Sequence, residues 1–205
     1  MKNAFSLIFK IWILTLTLFL VGCNASKMEA HRANSIELWN DMIVLYQQRS
    51  DLIIYMAELM SDQYDQDSGV LSVVNESNSK FILSQRQPNL MTDVSALLAF
   101  EQADAKLTLD LTNMLLILKN PVFQSNRELM DLKQDYAVLQ GKIVSARQSY
   151  VDAVKAHNRT LKSFPYNLIG FLLDYSELPL LKVDSDVSSS LTLRVNGPFE
   201  RTLFN

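Results

Sequence analysis

The chain has 205 residues, of which 48 % are hydrophobic and 20 % are charged, and its formal net charge is −3. This length fits one domain, and the near-neutral charge lacks the basic surface of a nucleic-acid binder, so we expect no nucleic-acid partner. Five Gly and five Pro are too few for the turns of a many-stranded sheet, which favours long helices, and a single Cys excludes both an internal disulfide and a Cys-based metal site.

The first predicted element is a secretion signal over residues 1–22. This segment has no acidic residue, carries Lys2 and Lys10, and continues into the apolar run from Ile11 to Gly22. A run of this length falls short of the roughly 20 residues that span a bilayer. The pattern is therefore typical of a cleaved signal rather than of a transmembrane helix.

The residues at the end of this signal indicate a lipid anchor. Leu20-Val21-Gly22-Cys23 resembles a bacterial lipobox, in which the cysteine thiol receives a diacylglyceryl group. We predict cleavage before Cys23, acylation of Cys23 with palmitate-type chains, and attachment to the lipid bilayer through them. Residues 23–34 would then form an anchor and linker. The alternative is an ordinary signal peptide followed by a chance cysteine.

The first long helix is predicted over residues 28–66. Steps of three and four residues from Ile36 fall on apolar or aromatic positions, with Ser50 as the exception, which is the pattern of a coiled coil. A neighbouring apolar row widens this stripe and indicates contact with two partner helices. The stripe consists of Ile36, Trp39, Ile43, Tyr46, Ser50, Ile53, Ala57, Met60 and Tyr64.

A last long helix is predicted over residues 125–164. Ser125 and Glu128 have the spacing of a capping box, and Pro165 ends the helix. The seam runs through Leu129, Leu132, Tyr136, Leu139, Ile143, Ala146, Tyr150, Ala153, His157, Thr160 and Phe164.

The middle of the chain is read as two helices separated at Pro88. The shorter covers residues 71–86, and the longer covers residues 89–119 with Asn89 or Thr92 as its cap. A short helix over residues 164–173 follows the last long one. The predicted fold is all-α, an elongated antiparallel up-and-down bundle of three long helices, one broken at a proline, over residues 35–175.

The remaining segment, residues 176–205, is predicted to be a partly irregular tail. In it Leu191, Leu193 and Val195 alternate like a strand that has no partner.

Several short groups of residues follow one another at characteristic spacings along the chain: Trp39-Asn40, Arg49, Asp51-Leu52, Ala146-Arg147, Tyr150, Asn158 and Ser163-Phe164-Pro165-Tyr166-Asn167-Leu168-Ile169. In order and spacing they resemble the LemA family of bacterial envelope proteins. The resemblance implies an N-terminal membrane anchor before long antiparallel helices, and a non-enzymatic role accessory to other membrane proteins. The chain departs from the family pattern at His157, where the family has Tyr.

Motifs for catalysis and metal binding are missing from the sequence. It contains no nucleophile elbow, Gly-rich phosphate loop or zinc-protease motif, and two histidines, His31 and His157, are too few for a three-His site. The acidic run of residues 62–69 does not fit a calcium loop, because Val70 stands where the turn of such a loop needs glycine. The run is therefore read as a solvated loop. We predict no enzymatic activity, no cofactor and no metal.

The leading hypothesis is a lipid-anchored scaffold or interaction module for membrane or envelope proteins. It lies on the periplasmic face, and because Asn24 rather than Asp follows Cys23, the outer membrane is favoured over the inner one. The candidate contact residues for a partner or ligand are Arg49, Arg147, His157, Asn158, Phe164 and Pro165.

Alternatives remain open for these residues and for the function. The two arginines would equally serve to brace neighbouring helices, and His157 either responds to pH or a ligand or packs at the end of the bundle. The alternative function is a ligand-binding or sensory lipoprotein with a pocket between the helices. Four seam tyrosines would line that pocket: Tyr46, Tyr64, Tyr136 and Tyr150.

Overall fold

The computed structural model describes residues 2–62 and 68–182, including the side chains of residues 10, 12, 25–62 and 69–182. These residues form helices and connecting segments, without a strand in the described ranges, which confirms the all-α prediction. The helices are α1 (Lys2–Ser61), α2 (Ser68–Gln85), α3 (Val94–Ile117), α4 (Pro121–Gln124), α5 (Arg127–Lys162) and α6 (Tyr166–Leu172).

Helix α1 packs mainly against α5 and α2. Most of the predicted stripe is buried, including Trp39, Tyr46 and Ile53, so the expectation of two partner helices is confirmed. Ile36 was placed wrongly, because it is 41 % exposed while Ser35 is fully buried. At this level the core-facing side of α1 is thus shifted by one residue, from Ile36 to Ser35. The Ser35 hydroxyl donates a hydrogen bond to the His31 carbonyl.

The ends of α1 also differ from the prediction. The helix begins at Lys2, well before residue 28, and it ends at Ser61; residues 63–66 of the predicted span lie outside the described residues. Within the described ranges, we find no helical stretch whose length and apolar character would suffice to cross a bilayer.

Helices α2 and α3 form an antiparallel hairpin, and its cap was predicted wrongly. Residues 89–92 make a turn in which the Asn89 carbonyl accepts from the backbone amides of Thr92 and Asp93, both at 2.8 Å. The cap is Asp93, whose carboxylate accepts from the amides of Ser95 (2.7 Å) and Ala96 (3.3 Å). Asp93 wins this position because one carboxylate satisfies two free amides of the first helical turn.

Helix α5 begins after a cap that sequence spacing also misassigned. Ser125 ends the single turn of α4 and donates to the Val122 carbonyl at 3.1 Å, so it is not free to cap α5. Asn126 takes that role and accepts from the Leu129 amide at 3.1 Å. Glu128 instead accepts a hydrogen bond from the Tyr55 hydroxyl on α1.

The main core lies where α1, α2, α3 and α5 meet. Its centre is a cluster of aromatic rings with centroids 5.1 to 5.7 Å apart, the spacing at which tilted and edge-on ring pairs stabilise each other. The rings belong to Trp39, Tyr46, Phe81, Phe100 and Tyr150.

A second, smaller core closes the end of the bundle at which α5 finishes. Met28, Leu161 and Ile169 are its buried residues. Because Met28 belongs to α1 and Ile169 to α6, this core ties α6 to the early part of α1.

After α6 the chain turns back along the bundle as an extended segment over residues 175–182, which we call the C-terminal strap. It has no regular secondary structure, but Leu178 and Leu181 are buried in the main core. The strand-like positions Leu191, Leu193 and Val195 lie outside the described residues.

Candidate functional site

The structure brings Arg49 and Arg147 together on one carboxylate that sequence reasoning did not single out. Arg49 Nη2 donates to Asp104 Oδ1 at 2.6 Å, and Arg147 Nη1 donates to Asp104 Oδ2 at 3.1 Å. Tyr46 donates its hydroxyl to Asp104 Oδ2 at 3.2 Å and accepts from Arg147 Nη1 at 2.5 Å. Glu101 Oε1 lies 3.9 Å from Arg147 Nη2. We call these five residues the Arg–Asp cluster.

The Arg–Asp cluster lies inside the bundle. The Arg49 side chain is 1 % exposed, and those of Asp104 and Arg147 are 15 % and 14 % exposed. The Arg49 guanidinium carbon lies 4.8 Å from the Tyr46 ring centroid and 4.7 Å from that of Phe81. Its Nε and Nη1 find no hydrogen-bond acceptor among the described residues, and the two ring faces attract the guanidinium instead.

Charge and burial fix the protonation of these groups. Burial alone would lower the pKa of Arg49, but Asp104 and Tyr46 raise it, and the net pKa is above the ordinary value. Arg147 follows the same logic, with Tyr46 and Asp104 outweighing its burial. Burial and the Asp104 charge together raise the pKa of Tyr46, so its phenol stays neutral and remains a donor.

This arrangement can brace helices. Three members of the Arg–Asp cluster come from three different helices, Arg49 from α1, Asp104 from α3 and Arg147 from α5. Both arginines donate to Asp104. The contacts therefore agree with the bracing interpretation of the two arginines. A signal for Asp104 existed in the sequence: an arginine that is buried in a bundle requires a carboxylate partner, and Glu101 and Asp104 lie within one turn of each other on α3.

The next two candidate residues hold the C-terminal strap. Asn158 donates to the Leu178 carbonyl at 2.8 Å, and its own carbonyl accepts from the Leu178 amide at 2.9 Å. His157 Nε2 lies 3.3 Å from the Ser176 carbonyl. Asn158 thus pairs with the strap as a neighbouring strand would, satisfying both backbone groups of Leu178.

The strap continues from there to the Arg–Asp cluster. Arg147 Nη2 donates to the Lys182 carbonyl at 2.9 Å, and the Lys182 amide donates to Glu101. The polar groups of the cluster and of Asn158 thus bind the backbone of an extended segment, independently of most of its side chains.

His157 is a buried residue at the base of the strap. Burial lowers its pKa below 6.5, the Ser176 carbonyl opposes this shift, and Arg32 and His31 on α1 add to it. A histidine whose pKa is lower in the folded state than in the unfolded state stabilises the fold fully above the unfolded pKa and progressively less below it. The folded chain is expected to lose stability as the pH falls below about 6.5.

Replacing His157 by Gln is expected to flatten this pH dependence. Between pH 7 and pH 5.5 the wild-type free energy of unfolding should decrease, by less than the limit of about 1.4 kcal/mol per pH unit that one proton sets. Urea unfolding at a series of pH values measures this slope. His31→Gln is the matched control and should keep most of the wild-type slope, because His31 makes only the smallest contribution to the lowered pKa of His157; a slope that disappears with His31 and survives in His157→Gln would contradict the assignment.

The last candidate pair, Phe164 and Pro165, forms the turn between α5 and α6. Their peptide bond is cis. Phe164 is 79 % exposed because α5 ends at Lys162, so its predicted place on the buried seam was wrong.

Cys23 lies within α1, and its side chain is outside the described ones.

Three of the four tyrosines that were expected to line a pocket are packed in the core. Tyr46, Tyr136 and Tyr150 are buried core residues between α1 and α5, and burial raises the pKa of Tyr150 to about 12. Tyr64 lies outside the described residues. A cavity of about 460 Å³ lies instead at the α2–α3 turn, beside Pro88.

In residues 2–62 and 68–182, no three acidic, His or Cys side chains gather in a way that would hold a metal ion.

A model of the LemA family matches residues 38–195, which includes the Arg–Asp cluster and the strap and continues beyond residue 175. A search of curated proteins finds no match to the chain.

Proposed function

The chain belongs to the LemA family, and we propose that it is a lipid-anchored, non-enzymatic scaffold of the cell envelope. In this proposal Cys23 carries the lipid, the bundle stands on the periplasmic face of a membrane, with the outer membrane favoured, and one face of the bundle binds another membrane or envelope protein.

The connection between anchor and bundle supports this role. Residues 23–34, where an anchor and linker were expected, belong to α1, and Met28 is already buried in the smaller core. A lipid at Cys23 would therefore hold the bundle at a defined height and orientation. A scaffold benefits from such a rigid mount, because a flexible tether would leave the binding face unoriented.

The observation that carries the scaffold role is the outer face of α3. Leu109 and Leu116 are 59 % and 51 % exposed, and Leu98 is 42 % exposed. At 3.6 residues per turn these three and exposed Ala105 fall within about 20° of one line. The opposite side of α3 faces the core through Leu97, Phe100, Leu107, Leu111 and Met114.

These exposed apolar residues, with polar residues such as Gln102 and Asn113 between them along the helix, suit a partner helix. Single exposed leucines are ordinary on protein surfaces, but a row at helical spacing gives an amphipathic partner helix anchors along several turns. We call Leu98, Ala105, Leu109 and Leu116 the α3 strip. Arg49, Arg147 and His157, the side chains best suited to chemistry, each contact other parts of this chain.

The test is site-specific photo-crosslinking in living bacteria. With p-benzoylphenylalanine in place of Leu109, irradiation should yield a discrete adduct in the membrane fraction, because this position lies in the middle of the α3 strip. Val144, an exposed apolar residue of α5, is the matched control and should give at least tenfold less adduct.

The anchor is tested in the same strains. Radiolabelled palmitate should be incorporated into the wild-type chain and not into Cys23→Ala, and the adduct at position 109 should fall with it. Equal adducts at positions 109 and 144 would overturn the α3 strip as the binding face. A wild-type chain without palmitate would overturn the lipid anchor.

A further inference from the structure

Helix α6 and the turn before it expose an apolar surface at one end of the bundle. Phe171 is 86 % exposed, Phe164 79 %, Leu172 74 % and Leu168 57 %. We call these four residues the end patch. Large apolar side chains that stand this far into water on adjacent turns mark a surface that is covered in the working state of a protein.

The other side of α6 is fixed to α1. Ile169 and Gly170 are buried there, and a Cβ on Gly170 would lie 2.9 Å from Leu161 Cδ2 and 3.2 Å from Met28 Cε. No other residue would allow this approach without moving Leu161 or Met28. The end patch therefore keeps a constant position relative to the first part of α1.

That position lies beside the predicted anchor. Ala25 packs against the smaller core, and it is only two residues, or about 3 Å along the helix axis, from Cys23. Lys27 Nζ lies 5.7 Å from the Tyr166 ring centroid, and the Tyr175 hydroxyl donates to Glu29. These contacts of α6 and of the strap with α1 thus fall within two turns of Cys23.

We propose that the end patch inserts into the lipid surface next to Cys23, as a second membrane contact of the bundle. This inference rests on the membrane anchoring in the proposed function. The acyl chains at Cys23 attach the chain to the bilayer at one point, and a second apolar contact at a fixed place would set the tilt of the bundle over the membrane.

The chemistry around the patch favours lipid over a charged partner. The flanking charges are mixed, since Lys162 pairs with Glu177 at 2.8 Å, and Lys27 and Arg32 are balanced by nearby Glu29. Tyr166 and Lys27 together provide the amphipathic rim that proteins place at headgroup level. Insertion should therefore depend on apolar area, with little dependence on anionic lipid or salt.

The experiment measures how deep position 171 lies. The full chain with Phe171→Cys, labelled with the environment-sensitive fluorophore NBD, is reconstituted into phosphatidylcholine vesicles that contain doxyl-labelled lipid. Quenching by the doxyl groups should be at least threefold stronger than for Val138→Cys, which lies on α5 about 36 Å from Lys162 along the helix. The quenching should persist in 0.5 M NaCl and with added phosphatidylglycerol.

The controls separate the possible causes. The parent chain, whose only cysteine is Cys23, gives the background from any label at the anchor, and circular dichroism checks that each variant is folded. Vesicle flotation with equal quenching at positions 171 and 138 would overturn the end patch alone. A label protected from both doxyl lipid and aqueous iodide would reveal a protein contact and also overturn it. A chain that does not float would overturn both the end patch and the anchoring.

Discussion

Replacing Asp104 by Asn is expected to destabilise the folded chain by about 3–5 kcal/mol, the loss typical when a buried ion pair is broken from one side. The reason is that Arg49, with its side chain 1 % exposed, would remain charged in the core without a counterion. The same substitution removes a carboxylate from Arg147. Urea unfolding followed by circular dichroism at 222 nm measures the loss as a lower midpoint with an unchanged slope.

A double variant tests whether the loss comes from the stranded charge. Arg49→Met combined with Asp104→Leu removes the Arg49 charge together with its counterion, while Arg147 keeps Glu101 at 3.9 Å, and replacing such a pair by apolar side chains is often close to neutral. It should recover most of the stability that Asp104→Asn loses. Glu76→Gln breaks the exposed pair with Lys80 and should leave the midpoint almost unchanged. A double variant as unstable as the single one would show that Asp104 acts by other means.

The bundle was predictable because apolar periodicity is a local signal that repeats over many turns. Along α1 and α5 a single misplaced residue, such as Ile36 or Phe164, leaves the pattern intact. The caps were less predictable, since Asn89, Thr92 and Asp93 are all acceptable cap residues. Only the path of the turn after α2 decides that Asp93 meets the free amides of α3.

The site was predictable only in halves. Arg49 and Arg147 stood out through the family resemblance, but Asp104 is 55 and 43 residues away from them in sequence. No local pattern encodes a pairing over such separations. The strap was missed for a related reason. Residues 175–182 have no apolar periodicity, and the hydrogen bonds that hold the strap go to backbone groups, which every residue type except proline supplies alike.

Replacing Asn158 by Ala is expected to release the strap and to lower the free energy of unfolding by about 1–3 kcal/mol, because the amide and carbonyl of Leu178 would lose their partners while buried. Leu178 is only 5 % exposed, so water cannot readily replace the lost side chain. Hydrogen exchange followed by mass spectrometry should show faster exchange in peptides over residues 175–182, with α1 and α5 little changed. A loss of about 1.4 kcal/mol confined to this opening corresponds to tenfold faster exchange.

Two further substitutions on α5 show whether the effect belongs to the strap. Asn158→Asp keeps the acceptor for the Leu178 amide and loses the donor to its carbonyl, so its exchange rate should fall between those of wild type and Asn158→Ala. Gln148→Ala removes an exposed side chain that bonds only Asp152 on the same helix, and it should leave the strap protected. Because Arg147 also binds the strap at Lys182, residues near 182 should stay more protected than residues near 178. Uniformly faster exchange across α1 and α5 in Asn158→Ala would instead mean that Asn158 supports the whole bundle.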